Sequence, residues 1–87
     1  MERDTRFRRL QFRAWHRGTR EADYMMGGFF DRYATEWNEE QLHWFEQLLE
    51  IDDPFIMDWA LGKSEPPAQF QGDMMESFRK LDFIEVK

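Results

Sequence analysis

The side chains in this sequence that could do chemistry are two histidines, two adjacent-carboxylate pairs, and a knot of charge in the stretch AWHRGTREADYMMG, residues 14 to 27. His16 and His43 belong to no H-x-x-x-H or H-E-x-x-H spacing, so neither reads as part of a zinc site. Cysteine is absent, which removes thiolate ligands and disulfides and leaves packing to hold the fold. Glu39-Glu40 and Asp52-Asp53 have the composition of acid–base pairs. Both fall where helices should begin, and carboxylates there serve the helix dipole and its free N–H groups. Gly27-Gly28 lies inside a helical pattern rather than after a strand, so it is not a phosphate-binding loop.

Charge is densest at the corner HRGTRE, where Arg13, Arg17, Arg20, Glu21 and Asp23 gather around a turn. A plain structural account exists for it. Arg17 suits a last helical turn, Gly18 can adopt the left-handed backbone that stops a helix, and Glu21 can reach back to free N–H groups in the next first turn. The same knuckle would also display guanidinium forks and carboxylates in fixed positions, the geometry of bidentate recognition. Residue types alone leave hinge and contact site both open.

The elements that must position this corner are helical. Phe7, Leu10 and Ala14 share one face of a first helix, while Arg6, Arg9 and Arg13 line another. Ala22, Met26, Phe29, Tyr33 and Trp37 mark a second helix of about four turns, flanked by Met25 and Phe30. The Gly27-Gly28 pair within it costs about 1 kcal/mol per glycine relative to alanine, so a close approach or a bend is expected there. Asn38 and Gln41 have the spacing of a capping box and open a third helix with Leu42, Phe45, Leu48 and Leu49. In DDPFIMDWALG, Asp53 is the expected N-cap, Pro54 the first helical residue and Gly62 the stop, with Phe55, Ile56 and Trp59 buried. After the loop KSEPPAQ, Phe70, Met74, Phe78 and Leu81 predict a fifth helix. Met26 and Met74 are expected in the core, Met25 and Met75 toward the surface. Trp15, Trp44 and Trp59 cannot all be fully buried in so small a domain, which hints at binding.

The expectation is therefore an all-α, compact five-helix bundle forming a single domain over 1–87, with its core at about 6–82 and fraying at the first few residues and at 83–87. At 87 residues, a chain buries roughly 60 to 65% of its unfolded surface, and nine Phe and four Trp compensate for the short length. No apolar run nears the roughly 18 to 20 residues of a membrane span, and the N-terminus has no signal-like apolar region. Residues 1–20 carry seven arginines against two acids, a balance of +5, whereas residues 21–87 carry five basic and sixteen acidic residues, a balance of −11. So acidic a body disfavours nucleic acid. The basic segment is expected against the acidic remainder of its own domain.

At this point the residues become recognisable. RGTREAD, Arg17 to Asp23, resembles the R-G-x-x-E-x-D signature of the small succinate dehydrogenase assembly factors. FEQLLEIDDPFIMDWALG, Phe45 to Gly62, is similar to that family's second block, and the resemblance covers about residues 6 to 82. One departure is His16, where many members carry Arg. The short chain resembles the bacterial branch, since mitochondrial members carry a targeting extension. Members of the family are five-helix domains.

The resemblance implies a chaperone-like protein with no active site and no cofactor of its own. It would bind the flavoprotein subunit of succinate dehydrogenase, and that of the related fumarate reductase, and promote covalent FAD attachment there by preorganising the subunit in trans. Carried over by motif, Arg17, Gly18 and Glu21 are the partner contacts, with Arg13, Trp15, Arg20 and Asp23 as neighbours. A cytoplasmic monomer that touches neither nucleic acid nor membrane is expected, with no bound metal. The alternatives are a small helical DNA-binding regulator or antitoxin, built on the two helices around Gly18, and a flavin-binding transferase in its own right.

Overall fold

A Cβ placed on Gly27 would overlap the indole of Trp15, and that single close approach explains why a glycine interrupts a helical sequence. The computed structural model describes residues 2–83, and the side chains of residues 4–83. Its five α-helices are α1 (Glu2–Trp15), α2 (Arg20–Tyr33), α3 (Glu39–Leu48), α4 (Asp53–Ala60) and α5 (Asp73–Arg79). Helix α1 packs along α2, burying Leu10 and Ala14 and setting Phe7 edge-on to Phe30 at 5.4 Å. The glycine pair gives α2 two seats. Trp15 lies on Gly27, and Phe83 closes on Gly28, where a Cβ would stand 3.2 Å from its ring.

The core is an aromatic cluster centred on Phe29, which is fully buried. The rings of Tyr33, Trp37, Phe45, Phe78 and Phe83 surround it with centroids 5.0 to 6.1 Å away. Large rings of this kind each remove on the order of 150 to 250 Å² from water, which lets a short chain sustain one core.

Helix boundaries depart from the periodic pattern where local chemistry overrides it. The apolar stripe of α2 predicts helix as far as Trp37, but α2 ends at Tyr33 and a 3₁₀ turn, Ala34–Glu36, follows. Asn38 must be extended to cap α3: its Oδ1 accepts from the Gln41 N–H at 2.8 Å, and the Gln41 Oε1 accepts from the Asn38 N–H at 2.9 Å. Trp37 is nevertheless buried, because the tight turn folds it back onto Phe45, 5.2 Å away. The N-cap of α4 is Asp52 rather than the expected Asp53, and Pro54 lies one position inside the helix start. Asp53 has its carboxylate engaged by the Arg17 guanidinium. Phe55, expected inside, is 57% exposed, while Ile56 and Trp59 are buried. Gly62 stops this helix at φ +75°, as its position predicts.

The fifth helix is shorter than the Phe70-to-Leu81 spacing predicts. Phe70 belongs to a 3₁₀ turn, Ala68–Phe70; Gly72, at φ +130°, breaks the chain before Asp73, and Leu81 stands beyond the end at φ +54°. The break resets the helical phase, so Met75 is the buried methionine and Met74 is half-buried, the reverse of the expectation. Met25 is buried too, because α2 is covered by α1 on one side and by Phe83 on another. Of the expected fraying at 83–87, Phe83 is packed against Phe29 and Phe78, and the rest lies outside the described residues. Among the described residues, no helix is long and apolar enough to cross a membrane.

Candidate functional site

The turn between α1 and α2 is built by three residues of the charged corner. Gly18 takes φ +121°, a conformation that side chains adopt only under strain. Thr19 is extended and caps α2, its Oγ1 accepting from the Ala22 N–H at 3.2 Å. Asp23 reaches back from the first turn, its Oδ1 accepting from the backbone N–H of Arg17 at 2.6 Å and of Gly18 at 3.4 Å. The reach-back expected of Glu21 is thus performed by Thr19 and Asp23. Glu21 is exposed and has no hydrogen bond or ion pair among the described residues.

Arg17 is turned inward. Its Nε donates to Asp53 Oδ1 at 2.8 Å, its Nη1 to the Leu49 carbonyl at 2.7 Å and its Nη2 to the Ile51 carbonyl at 2.7 Å, leaving the side chain 11% exposed. The guanidinium sits where α3 ends and α4 begins, satisfying carbonyls at a negative helix terminus and the first carboxylate of the next helix. Only the planar fork of arginine offers this many donors at fixed angles. The expectation that the corner displays Arg17 is therefore corrected: the charge is consumed in holding the corner against the α3–α4 junction.

Neighbouring arginines are also answered from within. Arg13 pairs with Glu50 at 2.5 Å, and Arg6 bridges Glu39 at 2.6 Å and Glu46 at 2.7 Å. The Arg6 guanidinium, hydrogen-bonded to Glu46, holds that carboxyl below the usual carboxylate range. Part of the basic segment does lie against the domain's own acidic body.

What remains outward is a different set. An open concavity of about 630 Å³ is lined by Trp15, His16, Gly18, Thr19, Arg20, Asp23 and Tyr24. Trp15 is half-buried on Gly27 and donates from Nε1 to Asp31 at 3.1 Å, and Tyr24 meets it edge-on at 5.8 Å. Arg20 is exposed and without a partner among the described residues. A Cβ on Gly18 would meet nothing within 4 Å, so the space beside it is open to another molecule. Tyr24 and Phe12, which are 51% and 62% exposed, escaped the sequence reading; their signal was an aromatic ring on the polar side of an amphipathic helix. Among the described residues, no cluster of His, Cys, Asp or Glu is arranged to hold a metal ion.

The fold and corner together define a small all-α domain with an exposed knuckle between α1 and α2, flanked by Trp15 and Tyr24. The chain belongs to the family described as flavinators of succinate dehydrogenase, whose model matches residues 8–82. It is 44% identical over 64 residues to the FAD assembly factor SdhE of Acetobacter pasteurianus, covering 74% of this chain and 59% of that one. It is 40% identical over 58 residues to the SdhE of Ralstonia nicotianae, covering 67% and 60%. A mitochondrial succinate dehydrogenase assembly factor 2 from Dictyostelium discoideum is 30% identical over 69 residues, covering 79% and 49%. The matches thus span about half to three fifths of these relatives' lengths. No solved structure matches.

Proposed function

We propose that this chain promotes covalent attachment of FAD to the flavoprotein subunit of succinate dehydrogenase, and of the related fumarate reductase, by docking through the α1–α2 corner. The observation that carries the reading is how the residues of the corner divide. Arg17 and Asp23 point inward and hold the turn, while Gly18, Arg20 and Glu21 are exposed. A charge held rigidly by a satisfied turn fixes register on a partner at low entropic cost. Gly18 lets the partner's backbone come close, and Glu21 and Arg20 set its register. Trp15 and Tyr24 line the adjoining concavity, while Arg13 supports α1 from its pair with Glu50. The names of the bacterial relatives support the flavin, and the family's description and the Dictyostelium relative's name support succinate dehydrogenase as the client.

In this account the chain does no chemistry itself. It acts as a monomer in the bacterial cytoplasm and holds the subunit where flavin and acceptor side chain are positioned to react, which is preorganisation supplied in trans. The test is deletion of the gene, followed by in-gel flavin fluorescence of the denatured flavoprotein subunit. The fluorescent band should be lost and return with the wild-type gene; an undiminished band in the deletion strain contradicts the proposal.

A further inference from the structure

The outward face of α1 takes no part in the turn and none in the core. At 3.6 residues per turn, Thr5, Arg8, Arg9 and Phe12 fall within about 100° of arc; each is exposed, as is His16 just past the helix end. Phe12 stands at the centre of this face, the most exposed large apolar residue of those described at 62%. It is not loose: the His16 ring stacks on it at 3.9 Å and 16°, and His16 Nδ1 is hydrogen-bonded to the Phe12 carbonyl at 2.7 Å. Arg8 and Arg9 flank it, and neither has a partner among the described residues. Arg6 and Arg13, on the adjoining flank of the helix, are paired with Glu39 and Glu46 of α3 and with Glu50 beyond its end. The acidic body, at −11 over residues 21–87, thus leaves two guanidinium groups on this face unanswered.

We propose that this face is the second half of the docking surface, seating Phe12 in an apolar recess bordered by acidic side chains of the flavoprotein subunit. The inference rests on the client proposed above. Charge complementarity argues for the acidic partner. A positive island on a negative molecule steers one orientation and repels others, since any other approach sets acidic surface against acidic surface. Continuity argues for the same partner as the corner, because His16 both stacks on Phe12 and lines the concavity beside Gly18. An aromatic anchor flanked by arginine is the composition that dominates interface energetics.

The experiment measures binding of the purified chain to the flavoprotein subunit from a strain lacking this gene, at low and high salt. Arg8→Glu combined with Arg9→Glu should weaken binding at low salt by about tenfold or more and flatten its salt dependence. Phe12→Ala should weaken it about fivefold or more at either salt concentration. Both variants should retain the wild-type circular dichroism, and Lys63→Glu, on an exposed loop, should bind as wild type does. Wild-type affinity in both α1 variants would overturn the inference while leaving the corner's role intact. Absence of binding by the unmutated chain would instead overturn the client proposal beneath it. A parallel titration uses vesicles containing phosphatidylglycerol; tight binding that the double arginine variant loses would assign the face to a membrane and overturn the protein partner.

Discussion

Arg17 Nε and Asp53 Oδ1 lie 2.8 Å apart across a sequence separation of 36 residues, and that bond joins the two sequence blocks on which the family resemblance rests. One partner belongs to the R-G-x-x-E corner and the other to the Asp-Asp-Pro start of α4. The two blocks belong together because the second anchors the arginine of the first. Helix α4 has Asp52 at its N-cap position, with no side-chain capping bond, and the Asp53 carboxylate is taken up by the clasp.

Removing the guanidinium should therefore be a stability event. Arg17→Ala strands the Asp53 carboxylate and the Leu49 and Ile51 carbonyls in a largely buried setting, a cost on the order of 2 to 4 kcal/mol. Arg17→Lys keeps the charge and loses the fork, and should recover only part of that. In thermal unfolding of a domain this small, each 1 kcal/mol moves the midpoint by about 4 to 8 °C. An Arg17→Ala midpoint equal to wild type would mean that the clasp contributes nothing.

Glu21 is the opposite case. It has no internal partner among the described residues, so Glu21→Ala should change stability by no more than about 0.5 kcal/mol. Binding to the flavoprotein subunit should fall by about tenfold or more. The contrast is Thr19→Ala, which removes the cap of α2 and should cost about 1 kcal/mol. Unfolding curves and a binding titration on the same two proteins separate the roles, and a Glu21→Ala protein as destabilised as Thr19→Ala would return Glu21 to a structural part.

The Trp15–Gly27 seat predicts a size limit at one methyl group. Gly27→Ala drives a Cβ into the indole and should destabilise the fold by about 1 to 3 kcal/mol despite the better helix propensity of alanine. Gly28→Ala meets Phe83 at 3.2 Å and should be milder. The check is a double mutant: with Trp15→Ala in place, Gly27→Ala should become neutral or stabilising. Equal cost with and without the indole would show that the seat is not what requires glycine.

Acid should loosen α1 from α3. Arg6 depresses the Glu46 carboxyl below its ordinary value of 4.5. The folded state thus favours the ionised form, and its stabilising contribution is complete above that value and lost as pH falls through the lowered one. In urea titrations across the acid range, wild type should lose stability more steeply than Glu46→Gln. Parallel acid limbs for the two proteins would remove Glu46 as a source of the dependence.

Much of this was legible in the sequence, and what was not has identifiable causes. The capping box at Asn38 and Gln41, the stop at Gly62 and the all-helical class rest on short-range rules, which hold within a turn or two of the residues involved. Errors arose where a distant partner decided. Asp53 resembles an N-cap until Arg17 is brought to it from 36 residues away, and Arg17 resembles a displayed charge until the end of α3 arrives beneath it. Periodicity also carried the fifth helix across Gly72, because a stripe drawn through Phe70, Met74 and Phe78 cannot register a break in phase. At the corner, the density of charge marked a turn, but only packing could separate Arg17 and Asp23, which build it, from Arg20 and Glu21, which face outward.

The central claim is that the exposed half of the corner does the work while the buried half holds it in place. It is tested most directly by covalent flavin fluorescence on the flavoprotein subunit in a deletion strain complemented with wild type, Gly18→Arg or Glu21→Ala, each quantified by immunoblot. At equal soluble level, wild type should restore full covalent flavin, Gly18→Arg should restore none, and Glu21→Ala only a minor fraction. Full restoration by a stably folded Gly18→Arg or Glu21→Ala protein would contradict the account.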